Sequence, residues 1–363
     1  MTTATVKTRY WHKTDDNRIQ CDLCPRACKL RNGQRGLCFV RACENDEIVL
    51  TTYGRSSGFC IDPIEKKPLN HFYPGTPVLS FGTAGCNLSC KFCQNWDISK
   101  SRQMASLASS ASPQQLAQAA VDLNCLSIAY TYNDPVIFHE YAIDVAQASR
   151  EKNIKAVAVT AGYICPKPRQ EFFANMDATN IDLKAFSEKF YYQLCGGKLA
   201  DVLDTILYVR HETNTWLELT TLLIPGENDS SKEIEALSCW IMDKLGPDVP
   251  LHFTAFHPDF KMLDKSNTSP LSLIRSREIA LKNGLKHVYT GNISDAIGGS
   301  TYCSNCNALL IKRDRYQLDY WHLNQSGQCK ECGQILPGHF NEQPGNWGAK
   351  RQLVKFRKTL IAE

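Results

Sequence analysis

The chain has 363 residues, of which 43% are hydrophobic and 21% charged, a composition typical of a globular protein with a full core. A net charge of +4 does not by itself indicate a nucleic-acid partner, and no apolar run predicts a membrane span. The 17 cysteines are unusual for this length. Because residues 1–13 lack the apolar core of a secretory signal, we expect a cytoplasmic protein whose cysteines bind metals or stay reduced.

The first cysteine-rich segment supplies four thiolates over a short, glycine-containing stretch. They are Cys21, Cys24, Cys28 and Cys38. Four thiolates in so short a module predict a metal site, because thiolate is a ligand for both zinc and iron–sulfur clusters. Zinc is slightly favoured over an auxiliary iron–sulfur cluster, and Cys43 or Cys60 is an alternative for one of the four ligands.

A second group of cysteines, Cys86, Cys90 and Cys93, has the spacing Cys-x3-Cys-x2-Cys and precedes the sequence Gln-Asn-Trp. Thiolates suit iron–sulfur clusters, and a [4Fe–4S] cluster takes one ligand on each iron. Three cysteines leave the fourth iron open to a ligand from outside the protein, as in catalytic zinc sites. An odd number of thiols disfavours disulfides, and zinc would need a fourth ligand nearby. The triplet therefore predicts a [4Fe–4S] cluster with one open iron.

Apolar runs that alternate with helical segments between residues 76 and 298 predict a parallel sheet or barrel of α/β class. The runs with the pattern of buried strands are 77–81, 126–130, 156–159, 179–184, 216–224 and 251–258. Two helices between them carry capping-box signals, one from Ser112 with Gln115 and one from Ser230 with Glu233. The charged segment 62–72 is interpreted as a partly solvated approach to the first strand.

Polar side chains stand where several of these strands end, which is where parallel barrels place their chemistry. Asp182 and Lys184 share one face of a period-two strand, and burying that face is expensive unless it lines a site. Asn133 and Asp134 follow the second strand, where Asp134 before a proline is also a sound helix cap that needs no ligand. His257 ends the sixth strand, and a ligand contact and a rim position fit it equally well.

A third cysteine-rich segment contains two Cys-x2-Cys pairs. They are formed by Cys303, Cys306, Cys329 and Cys332. This pattern predicts a zinc-ribbon-like module stabilised by the metal, and a rubredoxin-like iron site has the same spacing. The chain thus divides into a Cys-rich region (1–75), an α/β core (76–298), the ribbon-like module (299–340) and a basic tail (341–363).

Two motifs carry a family resemblance. The triplet with its Gln-Asn-Trp sequence, and the Asp-Leu-Lys at 182–184, resemble the radical S-adenosylmethionine (SAM) superfamily. Tyr132-Asn133-Asp134 stands where that superfamily has a Gly-Gly-Glu type motif that binds the amine of SAM. The pattern over nearly the whole chain resembles the radical SAM enzyme of the AmmeMemoRadiSam system, within the pyruvate formate-lyase activase-like group.

The resemblance implies a partial (β/α)6 TIM-like barrel of the radical SAM type. SAM would bind the open iron and be cleaved reductively to a 5′-deoxyadenosyl radical, which abstracts hydrogen from a substrate that the resemblance does not identify. Contacts to SAM are expected at the strand ends, from Asn133, Asp134, Asp182, Lys184 and His257.

The expected partners are a flavodoxin- or ferredoxin-like electron donor and, from the system's name, Memo-type and Ammecr-type proteins. Three alternatives stay open. The first is activation of a separate glycyl radical enzyme, and the second is a scaffold or electron carrier without catalysis. The third is RNA modification, motivated by the basic residues of the tail, although most such tails are merely solvated. These residues are Lys350, Arg351, Lys355, Arg357 and Lys358.

Overall fold

A computed structural model describes residues 5–103, 107 and 109–356. The region before the core forms small antiparallel sheets. Its strands are β1 (Val6–Lys7), β2 (Trp11–Lys13), β3 (Ile19–Cys21), β4 (Lys29–Leu30), β5 (Arg41–Glu44), β6 (Glu47–Leu50) and β7 (Arg55–Ser56). They pair in the orders β1-β6-β5 and β2-β3-β4, and β7 pairs with β10 (Ser109–Ser110).

The core is a nine-stranded sheet in the order β16-β15-β14-β13-β12-β11-β9-β8-β20. Its strands are β8 (Phe59–Pro63), β9 (Pro77–Phe81), β11 (Ser127–Tyr130), β12 (Lys155–Thr160), β13 (Ala178–Asp182), β14 (Trp216–Leu223), β15 (Leu251–Ala255), β16 (Val288–Gly291) and β20 (Gln352–Val354). The strands from β9 to β16 run parallel, whereas β8 and β20 are antiparallel to their neighbours. The predicted α/β fold, an open partial barrel, is confirmed. The strand β16 extends it beyond the six strands that we predicted.

Helices lie between the parallel strands, and a last short one follows β16. They are α1 (Trp96–Ser99), α2 (Pro113–Asp122), α3 (His139–Arg150), α4 (Pro166–Ala174), α5 (Glu188–Phe190), α6 (Leu199–Glu212), α7 (Ser231–Leu245), α8 (Pro270–Lys282) and α9 (Ala296–Gly299), with 3-10 turns at Ile64–Lys66 and Pro135–Phe138 and a π turn at Tyr191–Cys195. The capping box of Ser112 and Gln115 is complete. The second predicted box is only half formed, because the Glu233 carboxylate accepts from the amide of Phe186 at 2.8 Å rather than from Ser230. No helix in the described ranges is long and apolar enough to cross a membrane.

The segment 62–72 fills the end of the barrel where the strands begin. Phe72 packs on Val78 and Val157, the early residues of two strands. Asp62 and Lys67 are 0% and 2% exposed, and their side chains form an ion pair of 2.7 Å. The predicted solvated approach is therefore wrong, because the charges of this segment neutralise one another inside the protein.

The C-terminal cysteines lie in the turns that flank a small sheet of β17 (Thr301–Tyr302), β18 (Leu309–Asp314) and β19 (Gln317–Trp321), and this module has its own apolar core. Part of the predicted basic tail is structured, since Leu353 of β20 pairs with Cys60 of β8. The tail residues Arg357 and Lys358 lie outside the described residues.

Candidate functional site

The carboxyl ends of the parallel strands open onto a cavity of about 690 Å³. It brings together nearly all the residues that the sequence assigned to the cluster and to SAM. These are Cys86, Cys90, Cys93, Asn133, Asp134, Asp182 and Lys184. His257 is exposed and is not among the described residues that line the cavity, because the chain turns outward after β15. From this strand, His252 lines the cavity instead.

The three thiols of the triplet lie at the wall of this cavity, and Cys90 is only 7% exposed. A hydrogen bond with Cys195 lowers the pKa of Cys90 to about 6, against the opposing effect of burial. Burial raises the pKa of Cys86 to about 12. The Cys93 sulfur lies 3.0 Å from the hydroxyl of Ser99. Soft ligands that are shielded from water, with polar neighbours at the sulfurs, are what an iron–sulfur cluster needs.

The backbone of the triplet loop is fixed from several sides. The amide of Ser89 donates to the carbonyl of Cys195 at 2.9 Å, and the side-chain amide of Asn87 donates to the carbonyl of Tyr163 at 2.8 Å. Gly85 has φ +81°, and a Cβ there would lie 1.9 Å from the carbonyl oxygen of Cys38. Only glycine fits this position, and the loop is therefore held against the N-terminal cysteine region.

Asn133 and Asp134 both have structural partners. The side chain of Asn133 accepts from the amide of Thr83 at 3.1 Å and donates to the carbonyl of Gly85 at 2.8 Å, so it fixes the triplet loop. Asp134 accepts from the amide of Val136, which confirms the predicted cap, and also from Thr160 and the amide of residue 161. Burial is the main cause that raises the pKa of Asp134, and these donors oppose it.

Asp182 and Lys184 form an ion pair of 2.8 Å inside the cavity. The Lys184 side chain is 14% exposed and lies in the electrostatic field of Cys90. Burial opposes the positive charge, but the Asp182 carboxylate and the neighbouring thiols outweigh it and hold the pKa of Lys184 well above its usual value. The period-two pattern predicts that this polar face lines a site, and both side chains line the cavity.

Sequence reasoning missed the contribution of the C-terminal sheet. Its hairpin places Arg313, Arg315 and Tyr316 on the wall of the cavity. Arg313 is 2% exposed and donates to the Thr301 hydroxyl at 2.7 Å. The burial of Arg313 could have been predicted from the sequence of β18, because Arg313 falls on the same period-two face as the apolar, buried Ile311.

A buried network from segment 62–72 also reaches the cavity and was missed. The hydroxyl of Tyr132 donates to the carboxylate of Asp62 at 2.7 Å and lies 2.8 Å from the sulfur of Cys60. Glu65 lines the cavity as well, and burial raises its pKa to about 7. Tyr132 lies 70 residues after Asp62 and 72 residues after Cys60, so no local pattern could have indicated these contacts.

The ribbon cysteines are the tightest thiol group of the described residues. The sulfurs of Cys303, Cys306, Cys329 and Cys332 all lie within 4.8 Å of one another. The Cys303–Cys332 and Cys306–Cys329 sulfur pairs are 3.5 and 3.7 Å apart. Tetrahedral zinc with Zn–S bonds of about 2.3 Å requires sulfur separations of about 3.8 Å. These cysteines fit a single tetrahedral metal ion.

The N-terminal cysteines Cys21, Cys24, Cys28 and Cys38 line a second, smaller cavity together. Cys43 and Cys60 are not among its described lining residues. Cys60 belongs to the network of Tyr132 described above, and Cys43 is buried elsewhere in β5.

The main cavity fits a polar cofactor beside a cluster. Its three cavity-lining thiols provide a donor set for three irons. Within the described part of the chain, the hydroxyl of Thr220 and the side-chain nitrogen of Gln94 are buried at this cavity without a hydrogen-bond partner. Buried polar groups are rarely left unpaired, so both atoms indicate a ligand with complementary polar groups.

Comparison with known proteins gives a consistent family. Residues 81–237 match the model of the radical SAM superfamily. An uncharacterized protein of Methanocaldococcus jannaschii is 37% identical over 328 residues, which cover 90% of this chain and 97% of that protein. A second protein of that archaeon is provisionally named a glycyl-radical enzyme activating enzyme. It is 24% identical over an alignment that covers 58% of this chain and 78% of that protein.

Among solved structures, a radical SAM methyltransferase from Sphaerobacter thermophilus has a TM-score of 0.49 and 16% identity, and the match covers 82% of this chain and 81% of that one. The superfamily model spans the triplet, Asn133, Asp134, Asp182 and Lys184, the motifs that meet in the cavity. The chain therefore belongs to the radical SAM superfamily, whose enzymes use a [4Fe–4S] cluster and SAM.

Proposed function

We propose that Cys86, Cys90 and Cys93 bind the [4Fe–4S] cluster and that SAM binds beside it, so that the enzyme abstracts hydrogen from a substrate in the same cavity. One observation carries the proposal. Three thiols, an Asp182–Lys184 ion pair and polar groups without a hydrogen-bond partner among the described residues all line one cavity at the carboxyl ends of the strands. A cofactor site needs this combination of metal ligands and convergent polar groups.

When bound, the cluster supplies the electron that cleaves SAM reductively to a 5′-deoxyadenosyl radical. Asp134 is the proposed acceptor for the amino group of SAM, because its buried carboxylate stands at the end of the neighbouring strand. Asp182 and Lys184 offer an acceptor and a donor to the rest of SAM. Asn133 positions the triplet loop through Gly85. The protein thus orients the cofactor and shields it from water.

The substrate would occupy the part of the cavity formed by the ribbon hairpin. Arg313 and Arg315 give this part positive charge, and Glu65 adds a carboxyl group. We propose that the enzyme acts within the AmmeMemoRadiSam system, with a flavodoxin- or ferredoxin-like electron donor and with Memo-type and Ammecr-type partner proteins. The support for this system is the sequence resemblance over nearly the whole chain.

The test is formation of 5′-deoxyadenosine by the anaerobically reconstituted enzyme with SAM and dithionite. We expect Cys90→Ala to abolish the product, because one of the three iron ligands is lost. Cys239→Ala, which removes an exposed thiol on α7, is the matched control and is expected to retain activity. Undiminished 5′-deoxyadenosine formation by Cys90→Ala would refute the proposed cluster site.

A second candidate is activation of a separate glycyl radical enzyme. It is favoured by the relative from Methanocaldococcus jannaschii that has this provisional name. The two functions differ in where the radical ends. Activation would produce a stable glycyl radical signal on a partner protein in electron paramagnetic resonance (EPR), whereas a small-molecule substrate would leave no protein radical.

We also infer that the ribbon cysteines bind zinc. The sulfur separations of 3.5 and 3.7 Å support a single tetrahedral ion, for which zinc and mononuclear iron have the same thiolate preference. Zinc is favoured because it is the usual metal of closed four-cysteine structural sites.

A further inference from the structure

A second site is formed by the N-terminal cysteines. Their cavity is lined by Cys21, Cys24, Cys28 and Cys38, together with apolar residues such as Leu23, Leu30 and Ile137. Cys21 is 8% exposed, and the loop is closed by a hydrogen bond of 3.0 Å from its amide to the carbonyl of Cys28. Four thiols that surround one enclosed, largely apolar space form a complete ligand set for a metal group.

The distances between these sulfurs distinguish a site for a single metal ion from a site for a cluster. One zinc ion would hold its four sulfurs about 3.8 Å from one another, close to the 3.5 and 3.7 Å of the two ribbon pairs. Among the described residues, the N-terminal four do not form a group with all sulfurs within 4.8 Å, and neither do the triplet cysteines. In a [4Fe–4S] cluster each thiolate binds a different iron, so the sulfurs are held further apart.

Two arginines at the same cavity indicate an anionic occupant. Arg41 is 1% exposed, donates from Nε to the carbonyl of Ile137 at 3.1 Å and pairs with Glu140. Its Nη1 has no hydrogen-bond partner within the described ranges. Arg26 donates from Nε to the carbonyl of Asn87 at 2.8 Å, and its Nη2 is likewise buried and unpartnered there. Donors of this kind commonly bond the sulfurs of metal sites.

We propose that Cys21, Cys24, Cys28 and Cys38 ligate an auxiliary [4Fe–4S] cluster, with Arg26 and Arg41 as hydrogen-bond donors to it. All four irons then have protein ligands, so this cluster, unlike the one on the triplet, has no position for SAM. It adjoins the triplet loop, because Asn87 lines its cavity and the carbonyl of Cys38 lies against Gly85. The assignment goes beyond the proposed function and does not depend on it.

Metal analysis of the anaerobically prepared full chain tests this proposal. We expect about eight irons and eight acid-labile sulfides per chain, with about one zinc in the ribbon. About four irons with two zincs would overturn it. The triple variant Cys86→Ala/Cys90→Ala/Cys93→Ala is expected to keep about four irons and to give the EPR signal of a reduced [4Fe–4S] cluster. A folded triple variant without iron would also overturn the proposal. If the triple variant does not fold, the metal content of the wild type decides between the two outcomes.

The arginine contacts have their own readout. Arg26→Met removes a donor and a positive charge beside the sulfurs, so the midpoint potential of the cluster in the triple variant is expected to become more negative. Lys29→Met removes the same charge from an exposed position and is the matched control. Equal potentials in the two variants would contradict the contact. Neither measurement uses SAM cleavage, so failure here is distinct from failure of the proposed function.

Discussion

Arg313 of the ribbon donates a hydrogen bond of 2.9 Å to the main-chain carbonyl of Asn70, which lies 243 residues earlier in the chain. The contact joins the C-terminal module to the segment that fills the barrel. Because Arg313 also lines the main cavity, the ribbon is part of the wall of the site rather than an appendage.

Replacing this arginine should therefore destabilise the protein. Arg313→Met leaves the buried carbonyl of Asn70 without its side-chain donor and removes one of the two hydrogen-bond partners of the Thr301 hydroxyl, and we expect a loss of about 2–4 kcal/mol in the free energy of unfolding. Denaturant titration measures this loss. Lys312→Met changes the exposed neighbour on the same strand and should be nearly neutral. Equal losses in the two variants would contradict the role of Arg313.

The Asp182–Lys184 pair should control the affinity for SAM. Asp182→Asn removes a charged acceptor from the cavity and the partner of Lys184, so we expect SAM to bind about tenfold or more weakly. Titration calorimetry on the reconstituted enzyme measures this. Asp243→Asn removes a carboxylate from an exposed pair on α7 and serves as the control. Unchanged affinity in Asp182→Asn would exclude a contact with SAM.

Glu65 should make stability depend on pH. Its pKa is raised by burial from 4.5 to about 7, so the folded state holds a proton that the unfolded state releases above pH 4.5. Stability from this group is therefore lost as pH rises through 7. Between pH 6 and 8 the wild type should lose about 1 kcal/mol more than Glu65→Gln, which keeps the acceptor for the amide of Gly75. An equal loss of stability between pH 6 and pH 8 in the wild type and in Glu65→Gln would contradict the raised pKa of Glu65.

The ribbon metal should be separable from the clusters. Cys329→Ser removes one ligand of the tetrahedral group, and we expect the zinc content to fall from about one per chain to near zero and the ribbon to become sensitive to protease. Elemental analysis and limited proteolysis measure the two effects. Cys239→Ser, at an exposed position, should change neither. Retention of the metal by Cys329→Ser would contradict the proposed ligand set.

The features that the sequence predicted are those set by local spacing. Runs such as 77–81 became buried parallel strands because both faces of the sheet are covered, and the polar alternation at Asp182 and Lys184 marked a cavity wall. The triplet could be recognised from the sequence because its cysteines are only a few residues apart. Ser112 could be recognised as a cap for the same reason.

What could not be predicted depends on partners distant in sequence. Asp62 and Lys67 look solvated in isolation, but Tyr132, 70 residues later, completes a buried network with Asp62. Glu233 has the spacing from Ser230 that a capping box requires. Its carboxylate instead accepts a hydrogen bond from the amide of Phe186, which lies in another loop. His257 comes just after a strand, as predicted, but the chain turns after β15 and the side chain of His257 is exposed to solvent.

Gly85 holds the triplet loop directly against the backbone of Cys38, where there is no room even for a methyl group, so the two proposed iron sites are in contact. Ordering of the peptide at either site therefore restricts the peptide at the other. Assembly of the two proposed clusters should consequently be cooperative, because binding of iron and sulfide at one loop lowers the entropic cost of ordering the other.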